Sequence, residues 1–330
     1  MILVYFLLLF LIKINMQFQT QVPIPKTNNP IDYSSRIVFL GSCFAENIAD
    51  KFDYFKFQNT SNPFGIIFNP ISIETIIQRI VKKKYFIEED IFYHNDLWHC
   101  YETHSELSNP NKENILNILN QLIESTNDYI TKSTHIIITL GTAWVYRNIE
   151  SNEIVANCHK MPQKYFSKEI IPVDTIKKSL LKSVALIESI NKNAKIIFTV
   201  SPVRHIKDGF VENNLSKSNL ISALHSALFQ LPSSCYFPSY EILLDELRDY
   251  RFYTQDMLHP NQLAIDYIWE RFFQTQIAEK AYPIMEHIES IQKDLAHKPF
   301  NPDSEKHQEF LSKIQDKITK LVVEYPFMKF

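Results

Sequence analysis

Arg36-Ile37-Val38-Phe39-Leu40-Gly41-Ser42-Cys43-Phe44-Ala45-Glu46-Asn47 reads as a short apolar strand, a glycine that lets the backbone turn, and two side chains able to act as nucleophiles. The mixed apolar and polar residues that follow predict a helix to about Phe55. A strand feeding a helix in this way puts Ser42 and Cys43 at the carboxyl edge of a parallel sheet, where open α/β sheets build their sites. The helix N-terminus there favours negative charge, such as a thiolate or a developing oxyanion. A buried, inert cysteine behind a core strand is the bland alternative. The rest of the chain has to decide.

Two further apolar runs, His135–Leu140 and Lys195–Val200, read as buried strands, and Cys235-Tyr236-Phe237 as a shorter one. Long helical patterns separate them: Ile71–Lys83, Asn111–Ser133, about Asp174–Ile190, about Leu215–Leu231 and Gln262–Glu279. Strands alternating with helices predict a parallel α/β fold with right-handed crossovers and helices on both faces. Asn59 to Pro70 reads as an ordered loop, Phe92–His99 as a hairpin around Asn95-Asp96, and Val145–Lys164 as irregular. From about Ala281 the pattern becomes helix, a Pro-containing break at Lys298–Pro302, and helix again. The expected division is residues 1–15 as a leader, 16–280 as the α/β domain and 281–330 as a helical appendage.

Met1 to Ile12 is almost unbroken apolar sequence, too short for an ordinary membrane span. No Lys or Arg precedes it and no small-x-small cleavage site follows. An over-called start with Met16 as the true one ranks ahead of a signal or anchor, so the expectation is a cytoplasmic protein without stable membrane insertion. Export or anchoring is the alternative if residues 1–15 are translated. The formal net charge of −3 gives no electrostatic case for nucleic acid. Four scattered cysteines without metal-like spacing fit a reducing compartment. The chain has only four glycines, and Gly41 and Gly141 each directly follow a strand-like run. So glycine is kept where positive φ or close backbone approach leaves no substitute.

Asp256-Met257-Leu258-His259-Pro260-Asn261 is the second informative stretch. A carboxylate three residues before a histidine can hold one ring nitrogen and leave the other as a general base. It lies in the loop before the last core helix, while the nucleophile candidates follow the first strand. In a doubly wound sheet those two loops can converge above the strand ends.

Leu40-Gly41-Ser42-Cys43-Phe44-Ala45 resembles the signature of the GSCFA family within the SGNH/GDSL hydrolase superfamily. The resemblance runs from about Gln17 to Ile277 and takes in Asn62-Pro63-Phe64-Gly65, Thr139 to Trp144, Ser201-Pro202-Val203-Arg204-His205 and Asp256 to Pro260. It implies a three-layer α/β/α fold with a parallel sheet in flavodoxin-like order, and ester-type acyl chemistry without a cofactor. Laid on the superfamily's Gly-Asp-Ser block, Ser42 takes the aspartate position and Cys43 that of the nucleophile. Either Cys43 attacks, or Ser42 does in a shifted register, or neither does. The thiol is preferred, because a helix N-terminus and an imidazolium would lower its pKa. His259 would be the base and Asp256 its orienting partner.

The resemblance assigns an oxyanion donor to the Gly65 N–H, beside the N–H of Cys43. The asparagine that the third block normally supplies is absent from Gly141-Thr142-Ala143, leaving Thr142 or a reach by Asn157-Cys158-His159-Lys160 as substitutes, with His159 also an expected substrate contact. Asn62, Trp144, His104, Arg204 and His205 complete the expected substrate contacts. Arg204 suits a carboxylate or phosphate, or else forms a structural ion pair. His94, His99 and His104 recur every five residues, a spacing that fits neither one helix face nor one strand face, so no metal is expected. The expected activity is that of an esterase or acyltransferase on a small-molecule or glycan O-acyl ester. The rival is a non-catalytic module that binds a glycan or acylated ligand on the same scaffold.

Overall fold

Within each apolar run, alternate residues enter different cores. Ile37 and Phe39 face one side of the sheet and Val38 and Leu40 the other, as do Ile137 against Ile136 and Ile138. That is the two-residue period of a strand buried on both faces. The computed structural model describes residues 19–330; the leader at 1–15 lies outside the described residues.

Five strands form the central sheet: Arg36–Gly41 (β1), Gln58–Ser61 (β2), His135–Leu140 (β3), Lys195–Val200 (β4) and Ser234–Phe237 (β5). All pair in parallel, in the order β5-β4-β3-β1-β2. Read from the other edge this is 2-1-3-4-5, the flavodoxin-like order, with its topological switch between β1 and β3. Gly41 stands opposite Thr139 across that switch.

Eight long helices complete the layers among the described residues: Cys43–Tyr54 (α1), Pro70–Val81 (α2), Lys112–Lys132 (α3), Val173–Ile190 (α4), Phe210–Leu228 (α5), Gln262–Gln276 (α6), Tyr282–Ala296 (α7) and Glu305–Glu324 (α8). Helices α2 to α5 cover one face through stripes such as Ile73, Ile76, Ile77 and Ile80. Helices α1 and α6 cover the other, through Phe44, Ile48, Phe52, Ile268 and Phe272. Right-handed crossovers require this distribution, because the chain reverses its direction of progress through the sheet after β2. The appendage helices α7 and α8 join the second face through Met285, Ile288, Ile291, Ile314 and Leu321. No helix among the described residues is long and apolar enough to cross a membrane.

Some expectations need correction. Residues 58–61 form an edge strand where a loop was expected; Gln-Asn-Thr-Ser has no apolar run, because all four residues are only half-buried. The stretch expected to be irregular holds most of a three-stranded antiparallel sheet, Trp144–Asn148 with Ile154–Val155 and Phe166–Ile170. Helix α5 begins five residues before its apolar stripe, and α6 ends at Gln276. The hairpin forms as Ile91–His94 and Leu97–Cys100, turning through Asn95 and Asp96, both at positive φ. Such a pair suits the tight turn between twisted antiparallel strands.

Candidate active site

Gly41 is at φ +133°, and a Cβ there would lie 2.2 Å from the Thr139 carbonyl oxygen of β3. Only glycine lets β1 run this close to β3 and still turn into α1. The turn is braced by Asn62, whose Oδ1 accepts from the Gly41 N–H at 2.8 Å and whose Nδ2 donates to Glu46 at 3.1 Å. Asn62 therefore braces the turn into α1 and does not line the cleft at His259.

Ser42 is the N-cap of α1. Its Oγ accepts from the Phe44 N–H at 3.3 Å, and the residue is fully buried. Cys43, the first helical residue, is partly exposed. Burial and the charge of Glu46 push its thiol up, against the amides of Phe44 and Cys43 and the ammonium of Lys217, which pull it down. Burial wins. The lowered thiol pKa expected from the helix N-terminus is thereby reversed, since desolvation outweighs a few partial charges.

The Asp256–His259 loop has the expected geometry. The His259 Nδ1–H donates to Asp256 Oδ2 at 2.6 Å, and Nε2 has no protein partner among the described residues. The Thr254 hydroxyl, the Leu258 and His259 amides and the imidazole hold the Asp256 carboxyl well below the usual carboxylate range. A carboxylate this thoroughly hydrogen-bonded stays ionised and fixes the ring's tautomer.

His259 lines a cleft of about 300 Å³ with Phe68, Thr142, Trp144, Arg204 and His205. Arg204 finds no carboxylate among the described residues. Its guanidinium lies 5.4–5.8 Å from the rings of Phe210, Tyr250 and Tyr253, and its Nη1 donates to the Met257 carbonyl at 3.4 Å. An arginine held by aromatic rings and a carbonyl keeps its charge for a ligand. His205 is pushed down to about 3 by burial, with Lys217 and His259 adding to the shift, so its ring is neutral. The Trp144 indole donates to the Glu212 carbonyl at 3.1 Å, fixing one wall.

Of the remaining expected residues only Thr142 lines this cleft among the described residues. The Gly65 N–H donates to the Asn62 carbonyl at 2.7 Å, closing a turn at φ +73°, so the expected oxyanion donor is already engaged. His104 packs over Gly65, close enough that a Cβ there would lie 2.3 Å from its own. The Thr142 hydroxyl accepts from the Trp144 N–H and is paired with Ser216 Oγ at 2.8 Å, a buried brace for the turn after β3. His159 is turned away: its Nε2–H donates to the Cys100 carbonyl at 2.7 Å, and burial pushes it down to about 4. Cys43 and Ser42 do not line the cleft, and no hydrogen bond joins Cys43 to His259 among the described residues. Nor do three His, Cys, Asp or Glu side chains among them gather as metal ligands; His99, for one, holds Ser108 and the His94 carbonyl.

Lys217 was missed in the sequence. It is 1% exposed, and its Nζ donates to the carbonyls of Gly141 at 2.6 Å and Ser201 at 2.7 Å, the residues that directly follow β3 and β4. A signal existed. The α5 stripe Leu220, Ala223, Leu224, Ala227, carried back one turn, lands on Ser216 and Lys217. A lysine on the apolar face of a helix is the rare residue to ask about.

A parallel sheet in flavodoxin-like order, with an oriented histidine beyond its carboxyl edge, defines a doubly wound α/β protein. The chain belongs to the GSCFA family, whose model matches residues 36–272; a second, described as the C-terminal domain of GSCFA domain proteins, matches residues 288–330. No curated protein matches the sequence. Among solved structures the chain is similar to the psychrotrophic esterase EstA from Pseudoalteromonas sp. (14% identity, 73% of this chain and 96% of that one, TM-score 0.34). It is also similar to the acetyl xylan esterase Est2A from Butyrivibrio proteoclasticus (10% identity, 84% of this chain and 66% of that one, TM-score 0.36). Likeness of this size carries no argument about substrate.

Proposed function

We propose that the protein transfers an acyl group from an O-acyl ester through Cys43, with His259 as general base and Asp256 as its orienting partner. The observation that carries this reading is the 2.6 Å Asp256–His259 pair, with Nε2 left unengaged at a cleft above the carboxyl edge of the sheet. Ser42 is the weaker nucleophile candidate because its hydroxyl is buried in capping α1. Attack by the Cys43 sulfur on the ester carbonyl would release the alcohol, protonated by the imidazolium, and leave a thioester for water or an acceptor hydroxyl. Arg204, held in the cleft without a carboxylate, suits an anionic group on the substrate.

One observation favours binding without turnover: the Gly65 and Thr142 groups expected to hold an oxyanion are engaged in turns. Loss of one such donor typically lowers the rate by about a hundred- to a thousandfold. Turnover of short-chain acyl esters by wild type, Cys43→Ala, Ser42→Ala and His259→Ala separates the readings. Loss of at least about a hundredfold in Cys43→Ala and His259→Ala, with activity kept in Ser42→Ala, supports the thiol route. Loss only in Ser42→Ala moves the nucleophile. No turnover by wild type, with an acylated ligand still bound, gives the binding module.

A further inference from the structure

Arg204 lines two hollows, and the acyl chemistry proposed at His259 uses only one of them. On one side is the cleft shared with His259. On the other a cavity of about 260 Å³ opens among Arg204, Leu244, Arg248, Tyr250 and Tyr253. Leu244 belongs to a π-helical turn, Ile242–Leu247, and Arg248 leaves that turn at φ +43°. Neither is ordinary backbone, and both features concentrate at ligand sites. The two hollows are cationic although the chain carries a formal net charge of −3. Asp208 in the cleft is taken by Lys168, and Asp249 in the cavity by Arg251 at 2.9 Å. Arg204, Lys207 and Arg248 have no carboxylate within ion-pair distance among the described residues. Phe210 and Tyr250, two of the three rings around the Arg204 guanidinium, are 60% and 63% exposed. Rings left in water around a cation offer flat apolar faces next to a charge that seeks an anion.

The Arg204 backbone N–H donates to the Leu258 carbonyl at 3.1 Å and its Nη1 to the Met257 carbonyl at 3.4 Å, the two residues before His259. Arg204 therefore sits against the histidine loop. The imidazolium of His259 protonates the leaving oxygen, so the alcohol half of the ester is the half beside His259 and hence beside Arg204. We infer that the cavity beyond Arg204 is the subsite for that alcohol half, and that this half carries a carboxylate or phosphate on a ring. The anion meets Arg204 and Arg248, and the ring lies against Tyr250 and Tyr253. A guanidinium fork suits the paired oxygens of either anion. The inference rests on the acyl-transfer reading of His259 and names its substrate class.

The test compares kcat/KM of the full chain and its variants on p-acetoxybenzoate, p-acetoxyphenyl phosphate and neutral p-nitrophenyl acetate. Each variant is divided by wild type on the same ester, so differences in leaving group cancel. In Arg204→Met the loss on an anionic ester exceeds the loss on the neutral one by about tenfold, and Arg204→Lys recovers part of it. The anionic ester that loses more tells carboxylate from phosphate. Arg248→Met serves if Arg204→Met does not fold, with an excess loss of about threefold. Equal losses on neutral and anionic esters overturn the subsite and leave the acyl-transfer reading standing. A larger excess on mono-p-nitrophenyl succinate, whose anion lies in the acyl half, overturns the assignment to the alcohol half. A protein that turns over none of these esters is titrated with p-hydroxybenzoate, phenyl phosphate and phenol by ligand-observed NMR. Anion binding weakened about tenfold in Arg204→Met then supports the subsite while the acyl-transfer reading falls. No binding, or phenol bound as well as the anions, overturns the subsite.

Discussion

Arg79 and Lys217 are both buried cations on helices of the same face of the sheet, at 4% and 1% exposure, and they are solved in opposite ways. Arg79 on α2 donates through Nε to Glu102 at 2.8 Å and through its Nη atoms to Glu102, Asp90 and the carbonyls of Lys84 and Tyr85, with Phe86 beneath it. Despite burial, those carboxylates hold its proton above the ordinary arginine value. Lys217 on α5 has carbonyls only, and burial pushes it down to about 7. A paired charge ties the hairpin and the 102–107 loop to the core. An unpaired one held by carbonyls alone is a cost that stability alone would remove.

The contrast is sharpest in Arg79→Met, which strands Asp90 and Glu102. We expect a loss of about 3–5 kcal/mol by urea denaturation. A loss under about 1 kcal/mol would erase the distinction.

Lys217→Met should behave in the reverse sense, through pH. The folded lysine titrates at about 7 and the unfolded one at 10.5. Between those values the unfolded chain holds a proton that the folded chain has released, so this residue adds stability as pH rises from about 7 toward 10.5. Below about 7 both forms are protonated and the full cost of burial is present. Denaturation at pH 6 and pH 9 should show wild type gaining on Lys217→Met at the higher pH. An equal gap at both would mean that Lys217 is not depressed.

Ser42→Ala gives the smallest effect, a loss of about 1 kcal/mol from the missing α1 cap, with ester turnover within a few-fold of wild type. Full stability with abolished turnover would make Ser42 the nucleophile.

The fold was legible where apolar runs of period two met helical stripes, as in Ile136–Ile138 and Leu220–Ala227. It was hidden where half-buried strands carry polar residues, as in Gln58–Ser61 and Phe166–Ile170. The Asp256–His259 geometry could be read because three residues of spacing settle it locally. The state of Cys43 could not be, since it depends on how deeply α1 sits and on an amine 174 positions along the chain. Likewise nothing in Asn62-Pro63-Phe64-Gly65 tells that the Gly65 N–H closes its own turn.

The most direct measurement is the mass of the acid-quenched protein after brief mixing with a short-chain acyl ester, followed by peptide mapping. The account predicts one acyl group, on Cys43, absent in Cys43→Ala and slow to form in His259→Ala. An acyl group on Ser42, or none on a protein that nonetheless turns over the ester, would contradict it.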